Sequence, residues 1–209
     1  MHLNTTDKLL DMGTGGGEIL LSIGHPHKNT CATESWLPNY ELCMQKLAPL
    51  GITVARTYED EKIPFNDEQF HVVTNRHESF DLNEVDRVLK PGGYFITQQV
   101  GAENYTEFAQ RLNDDYRAQY PGHSLENYTQ NLRDIGYHIL ASNEIKYTAK
   151  FHDVGALVFY AKIIEWEYPN FSVKTHLKKL FACQQELEEK GTLEGTEHRF
   201  FLVAQKGRD

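Results

Sequence analysis

Two hydrophobic rhythms alternate along the first hundred residues. Short stretches rich in apolar and β-branched residues, KLLDM (8–12), TCATE (30–34), ITVAR (52–56), FHVVTN (70–75) and YFITQQV (94–100), read as strands. Between them the apolar positions fall at helical spacing. GGEILLSIG runs to Gly24, and LPNYELCMQKLAPLG puts Leu37, Tyr40, Leu47 and Leu50 on roughly one face, with Gly51 as its stop. LNEVDRVLK is a third helix, ended by Pro91-Gly92-Gly93. Strand–helix–strand units of this length predict a parallel sheet with helices on both faces.

The second half is less regular. YTEFAQRLNDDYRAQ (105–119) and SLENYTQNLRDIG (124–136) read as helices, separated by the YPGHS break. NEIKYTAKF (143–151) is a sixth strand and RFFLVAQK (199–206) a seventh. About fifty residues lie between them, too many for a plain hairpin loop, so they should form a small cap. The expected organisation is one domain over 1–209, with a core over 1–150, a cap insertion over 151–199 and the last strand over 200–209.

Composition narrows the function classes. With 209 residues, 40% apolar and 24% charged, the chain suits one globular α/β domain. No apolar run approaches the roughly 18 residues of a membrane span, and MHLNTTDK has no signal-peptide pattern, so no membrane role is expected. Cys31, Cys43 and Cys183 are scattered without paired spacing, which fits a reducing, cytoplasmic setting. The net charge of −9 and the lack of any basic cluster longer than LKKL argue against a large nucleic-acid footprint and favour a small-molecule partner. His25 and His27 have no companion at metal-ligand spacing, so they read as a turn and no metal is expected.

The chemistry concentrates in LLDMGTGGGE. Gly13, Gly15 and Gly17 follow a strand, where missing Cβ atoms allow a sharp turn and close approach of a ligand to the backbone. A dinucleotide fingerprint would place a further glycine where Glu18 stands, at a helix start that receives pyrophosphate. A carboxylate there disfavours NAD or FAD, and the Lys-Ser/Thr ending of a phosphate-binding loop is absent.

In this stretch the chain resembles the class I S-adenosylmethionine-dependent methyltransferases. LLDMGTGGGE is similar to their first motif, and Glu34 stands 23 residues after Asp11 at the end of the second strand. EDEKIPFNDEQFHVV resembles the family's DAExLPFxDxxFDVV segment, and EVDRVLKPGGYFIT its RVLKPGG segment. The resemblance runs from about Lys8 to Val100 and points to the broad small-molecule group that includes quinone-biosynthesis methyltransferases. It implies a Rossmann-like, doubly wound, seven-stranded, mostly parallel sheet. The last strand would be antiparallel, and a helical cap would be inserted between strands six and seven. It also implies S-adenosylmethionine as cofactor, held by the 1–150 core, and a small organic methyl acceptor.

Position by position, the resemblance assigns Asp11, Gly13, Thr14, Gly15 and Gly17 to the methionine part of the cofactor. Glu34 would accept from both ribose hydroxyls, with Ser35 or Trp36 packed near the adenine. Asp60 and Glu61 would sit beside the adenine ring, and Asn75 and Arg76 would line the methionine side. His77 reads as a general base, because imidazole titrates near neutral pH, with Glu78 orienting it or binding substrate. The alternative for His77 is a strand-end cap. Phe159, Tyr160, Trp166, Tyr168 and Phe171 read as cap core, with a substrate-holding aromatic surface as the other reading.

Two departures from the family pattern stand out. Only seven residues precede Lys8, where the family usually carries helices that fold over the cofactor. Three expectations stay open: an incomplete start, covering by the cap, or an open and weak site. His71 stands where the family commonly has Asp. The rival functions are an RNA methyltransferase and a non-catalytic S-adenosylmethionine-binding module.

Overall fold

The computed structural model describes residues 3–59 and 62–208. Asp60 and Glu61 lie outside the described residues, so their expected place beside an adenine ring is left as an expectation. In chain order the strands are β1 (Leu9–Met12), β2 (Thr30–Glu34), β3 (Thr53–Arg56), β4 (Phe70–Arg76), β5 (Leu89–Val100), β6 (His138–Phe151) and β7 (Leu193–Gln205). The helices are α1 (Glu18–Ser22), α2 (Leu37–Lys46), α3 (Leu82–Val88), α4 (Thr106–Leu112), α5 (Leu125–Asp134), α6 (Val154–Ile163) and α7 (Val173–Lys190).

The seven strands form one sheet in the order β3-β2-β1-β4-β5-β7-β6. β1 pairs in parallel with β2 and β4, β2 with β3, and β4 with β5. β7 runs the other way: the Gly92 N–H donates to the carbonyl of Lys206, just past the end of β7, while just past the end of β5 the Gly101 N–H donates to the His198 carbonyl. Rising numbers on β5 therefore meet falling numbers on β7. The chain reverses direction at the centre of the order, after β1, so the parallel strands wind outward both ways from it.

Several element ends differ from the sequence expectation. α3 stops at Val88, and the Lys90–Gly93 stretch belongs to β5. Left-handed Gly92 (φ 74°) turns its N–H toward β7, and the β4–β5 register jumps from Phe70↔Leu89 to Val72↔Tyr94. α4 ends at Leu112, because extended Asn113 caps it and its Oδ1 takes the Asp115 N–H. β6 begins at His138, just after left-handed Gly136 (φ 89°).

The chain divides into two compact units. The first comprises Met1–Gln99, Leu125–Asn143 and Phe201–Asp209. Its sheet is covered on both faces, and β1 shows why an unbroken apolar run is needed. Leu9 packs with Leu20 of α1 and with Cys43 and Leu47 of α2, while its neighbour Leu10 packs with Val85 and Val88 of α3 and Leu132 of α5. Successive side chains of a strand point to opposite faces, so both residues must be apolar. Val72 and Val73 divide in the same way.

The second unit comprises Val100–Ser124 and Glu144–Phe200. Its core gathers Phe108, Leu112, Leu157, Tyr168, Leu180 and Leu187, with the Phe108 and Phe151 rings stacked 4.4 Å apart. Tyr160, Tyr168 and Phe171 join this core, as the core reading of the cap aromatics expects, whereas Phe159 and Trp166 face solvent.

Candidate functional site

The site grows from the end of β1. Gly13, Gly15 and Gly17 all take left-handed conformations (φ 62°, 61° and 79°), a region that costs any residue with a Cβ. The loop is held from three sides. The Thr14 N–H donates to the Thr33 carbonyl of β2, at 3.1 Å. From α2, the Cys43 thiol donates to the Gly15 carbonyl at 3.0 Å and Lys46 Nζ to the Gly16 carbonyl at 3.1 Å. Burial pushes the Cys43 thiol up to about 11, with the nearby Glu34 carboxylate acting in the same direction, so it stays a protonated donor.

Glu34, at the end of β2, is buried and fastens the loop with its carboxylate. Its Oε2 accepts the Gly15 N–H at 2.8 Å, and its Oε1 accepts the Trp36 N–H at 3.0 Å. Each oxygen keeps lone-pair capacity for a further donor. Trp36 itself is exposed at the start of α2, and Tyr58 is exposed just after β3, with the Arg56 guanidinium 4.7 Å from its ring centre. These flat surfaces lie along the chain ends next to Glu34.

Asp11 sits at the root of the loop. The Thr74 hydroxyl donates to its Oδ1 at 2.7 Å. Burial raises its carboxyl above the usual aspartate value, and the Thr74 hydrogen bond and Arg76 only partly offset this.

Across from the loop, β4 delivers Asn75, Arg76, His77 and Glu78. Asn75 is buried, and its Oδ1 accepts from Thr97 Oγ1 at 3.1 Å and Gln99 Nε2 at 2.6 Å. Its Nδ2 is buried without a hydrogen-bond partner among the described residues. Arg76 is exposed, and His77 follows in a left-handed conformation (φ 58°) with its N–H donating to the Gln98 carbonyl. A left-handed backbone at a non-glycine residue costs free energy, and such positions cluster at functional sites. Glu78 lies over the glycine loop: a Cβ added to Gly13 would stand 2.5 Å from Glu78 Cβ. Glu78 Oε1 also accepts from the Ser35 hydroxyl at 3.2 Å.

The structure thus brings together Asp11, Gly13, Thr14, Gly15, Gly17, Glu34, Ser35, Asn75 and Glu78 in the first unit, with Trp36, Arg76 and His77 exposed at the edge. Sequence reasoning missed Cys43, Lys46, Thr97 and Gln99. Thr97 and Gln99 had a signal, since both are polar at alternate positions of a run read as a strand. Cys43 and Lys46 had none, because their partners are backbone carbonyls on another element. Glu18 also carries a different weight here. It is the exposed first residue of α1 and pairs with Lys46, which holds its carboxyl below the usual range.

The converging side chains Asp11, Glu34 and Glu78 are acidic, and the loop offers open space beside Gly15, where an added Cβ would meet nothing within 4 Å. Such a cradle suits a ligand with hydroxyl and cationic groups and opposes a pyrophosphate. The orphaned Asn75 Nδ2 adds a buried donor that a ligand carbonyl or carboxylate would satisfy. Among the described residues no group of three or more His, Cys, Asp or Glu residues could hold a metal ion.

Comparison with known proteins gives the same direction. The family described as a methyltransferase domain matches residues 10–97. No curated protein matches the chain significantly. A candidate methyltransferase of Bacillus halodurans C-125 has a similar structure at 16% identity and TM-score 0.64, covering 98% of this chain and 94% of that one. An S-adenosylmethionine-dependent methyltransferase of Aquifex aeolicus aligns at 18% identity and TM-score 0.55, over 98% and 84%. The [4+2]-cyclase SpnF aligns at 16% identity and TM-score 0.56, over 99% and 78%. At these identities the solved structures share the fold.

Proposed function

Because residues 10–97 match the methyltransferase-domain family and the sheet has the class I strand order, we propose that this protein transfers a methyl group from S-adenosylmethionine to a small organic acceptor. The observation that carries the reading is the preformed loop. A loop with three left-handed glycines is fixed at Gly15 and Gly16 by Glu34, Cys43 and Lys46, beside the half-buried carboxyl of Asp11. When bound, S-adenosylmethionine supplies an electrophilic methyl group on a sulfonium.

The chain's own residues bind, orient and exclude water. Glu34 spends one lone pair of each oxygen on the loop and offers the rest to ribose hydroxyls. Asp11 and Glu78 give the methionine side an acidic lining that favours an ammonium group. Thr74, hydrogen-bonded to Asp11, limits how far burial neutralises it. Holding the donor and acceptor in line lowers the barrier by orientation, and His77 takes the acceptor's proton where the attacking atom carries one. Support for a small acceptor comes from the acidic balance of the chain, since an RNA substrate draws on phosphate neutralisation.

Calorimetry with S-adenosylmethionine and S-adenosylhomocysteine, alongside a methyl-transfer screen against small metabolites, tests this reading. Binding of both ligands by the wild type is expected. Two lost charge-assisted bonds in Glu34→Ala should raise Kd about 10²–10⁴-fold. Absence of binding by the wild type would sink the proposal. A second reading takes support from a [4+2]-cyclase on the same fold: this chain would hold the cofactor without moving its methyl group. Tight binding with no labelled methyl leaving the cofactor would favour it.

A further inference from the structure

α6 and the first half of α7, in the second unit, carry large apolar side chains that the fold leaves exposed. α6, VGALVFYAKI, is apolar around nearly its whole circumference. Leu157 and Ala161 turn into the core, yet Phe159 and Ile163 remain 67% and 52% exposed, and Trp166 just beyond is 57% exposed. A helix that is apolar all round is normally covered on every side. On α7 the buried face is Leu180, Cys183 and Leu187, while Val173, Leu177 and Phe181 form an i, i+4, i+8 stripe exposed at 40%, 49% and 62%.

Charge points to what covers this surface. Residues 154–181 hold four lysines against two glutamates, a net of +2, on a chain whose net charge is −9. Lys179 pairs with Asp114, but Lys162, Lys174 and Lys178 form no salt bridge among the described residues. At 100° per residue, Lys174 and Lys178 border the Val173–Leu177–Phe181 stripe on its solvent side. The acids of α7, Glu186, Glu188 and Glu189, sit in its other half. One end of α7 is therefore apolar and basic, and the other acidic.

We propose that the α6–α7 segment docks on an anionic lipid surface, with Phe159, Ile163, Trp166, Leu177 and Phe181 entering the headgroup–acyl boundary and Lys162, Lys174 and Lys178 meeting the lipid charge. A second copy fits less well, because its unpaired lysines would face the same lysines. RNA would satisfy the lysines and leave the aliphatic side chains of Ile163 and Leu177 without a partner. The attachment is peripheral, since no helix among the described residues is long and apolar enough to cross a membrane. It stands independently of the methyl-transfer reading.

The test is sedimentation with vesicles of phosphatidylcholine alone and of phosphatidylcholine mixed with phosphatidylglycerol. Binding is expected to the mixed vesicles only, weakening as salt rises. Lys174→Glu and Lys178→Glu should each weaken it by at least about fivefold, and the double variant Phe159→Ser/Phe181→Ser should abolish it. Unchanged thermal melting and circular dichroism are expected for these exposed-site variants and show that they fold. The proposal is overturned if the wild type stays with the supernatant, or if both sets of variants sediment like the wild type. It is also overturned by a dimer in analytical ultracentrifugation that the phenylalanine variants dissolve. RNA binding lost in the lysine variants and kept in the phenylalanine variants overturns it as well.

Discussion

Replacing Gly13 by alanine separates two reasons for a glycine at the root of the loop. Gly13 and Gly15 have nearly the same left-handed backbone, φ 62° and 61°. An alanine at either position pays about 1–2 kcal/mol for that conformation. Their surroundings differ: an added Cβ at Gly13 stands 2.5 Å from Glu78 Cβ and 2.6 Å from Cγ, whereas at Gly15 it meets nothing within 4 Å. Cβ is fixed to the Glu78 backbone, so a rotamer change does not relieve the overlap. Forcing the end of β4 away adds about 1–3 kcal/mol. Gly13→Ala should therefore cost about 2–5 kcal/mol and Gly15→Ala about 1–2 kcal/mol. For a chain of this size that is a Tm fall of about 4–20 °C against about 2–8 °C. A double-mutant cycle with Glu78→Gly sharpens the comparison, because denaturant unfolding should return a coupling of about 1–3 kcal/mol with Gly13→Ala and near zero with Gly15→Ala. Equal costs at the two glycines, or no coupling at Gly13, would refute the claim that Glu78 lies against the loop.

Three further perturbations follow from the same geometry. Burial raises the Asp11 carboxyl above its unfolded value of 3.8, so its contribution to stability is present below that value and lost as pH rises through the folded value. Asp11→Asn should therefore raise the melting temperature at neutral pH while weakening cofactor binding, and a lower melting temperature would contradict this. His71 accepts the Lys8 N–H on Nδ1 at 2.9 Å, and burial, with Lys90 next, lowers its pKa below 6.5. Its contribution is present above 6.5 and lost as pH falls through the folded value. His71→Asp should keep an acceptor there and flatten the melting profile between pH 5 and 7, read by scanning calorimetry. Arg87→Leu frees the Ile63 and Phe65 carbonyls and the Glu84 carboxylate, and should cost about 2–4 kcal/mol in denaturant unfolding.

The legible parts of this molecule are those whose cause is local. β1, β2 and α2 appear where short apolar or β-branched stretches and helical spacing place them, because their pattern is written into consecutive residues. The glycine loop was legible too, since left-handed backbone selects glycine whatever surrounds it. The ends of α3 and β5 were not. Pro91-Gly92-Gly93 reads as a helix stop, and hydrogen bonds with Lys206 and Gly207, just past β7, turn it into strand. Cys43 and Lys46 escaped notice for the same reason: their roles depend on carbonyls that the fold brings from another element.

Arg87 shows why a motif is legible before its reason is. IPFND and DRVLKPGG are separate motifs in the sequence, yet in the fold they are one device. Arg87 donates to the carbonyls of Ile63 and Phe65 and to Asp67, and pairs with Glu84, which in turn accepts the Ile63 N–H. The bond to Arg87 holds Glu84 below the usual carboxylate range, and Glu84 raises Arg87, so both stay charged. A loop bearing Ile63 in the core is tied down by the helix that follows β4. His71 makes the complementary point. Its Nδ1 accepts the Lys8 N–H just ahead of β1, a task that an aspartate carboxylate is equally able to fill. The spacing of the two motifs brings Arg87 to its carbonyls, and a position whose task is to accept one N–H, as His71 does, can be filled by more than one kind of side chain.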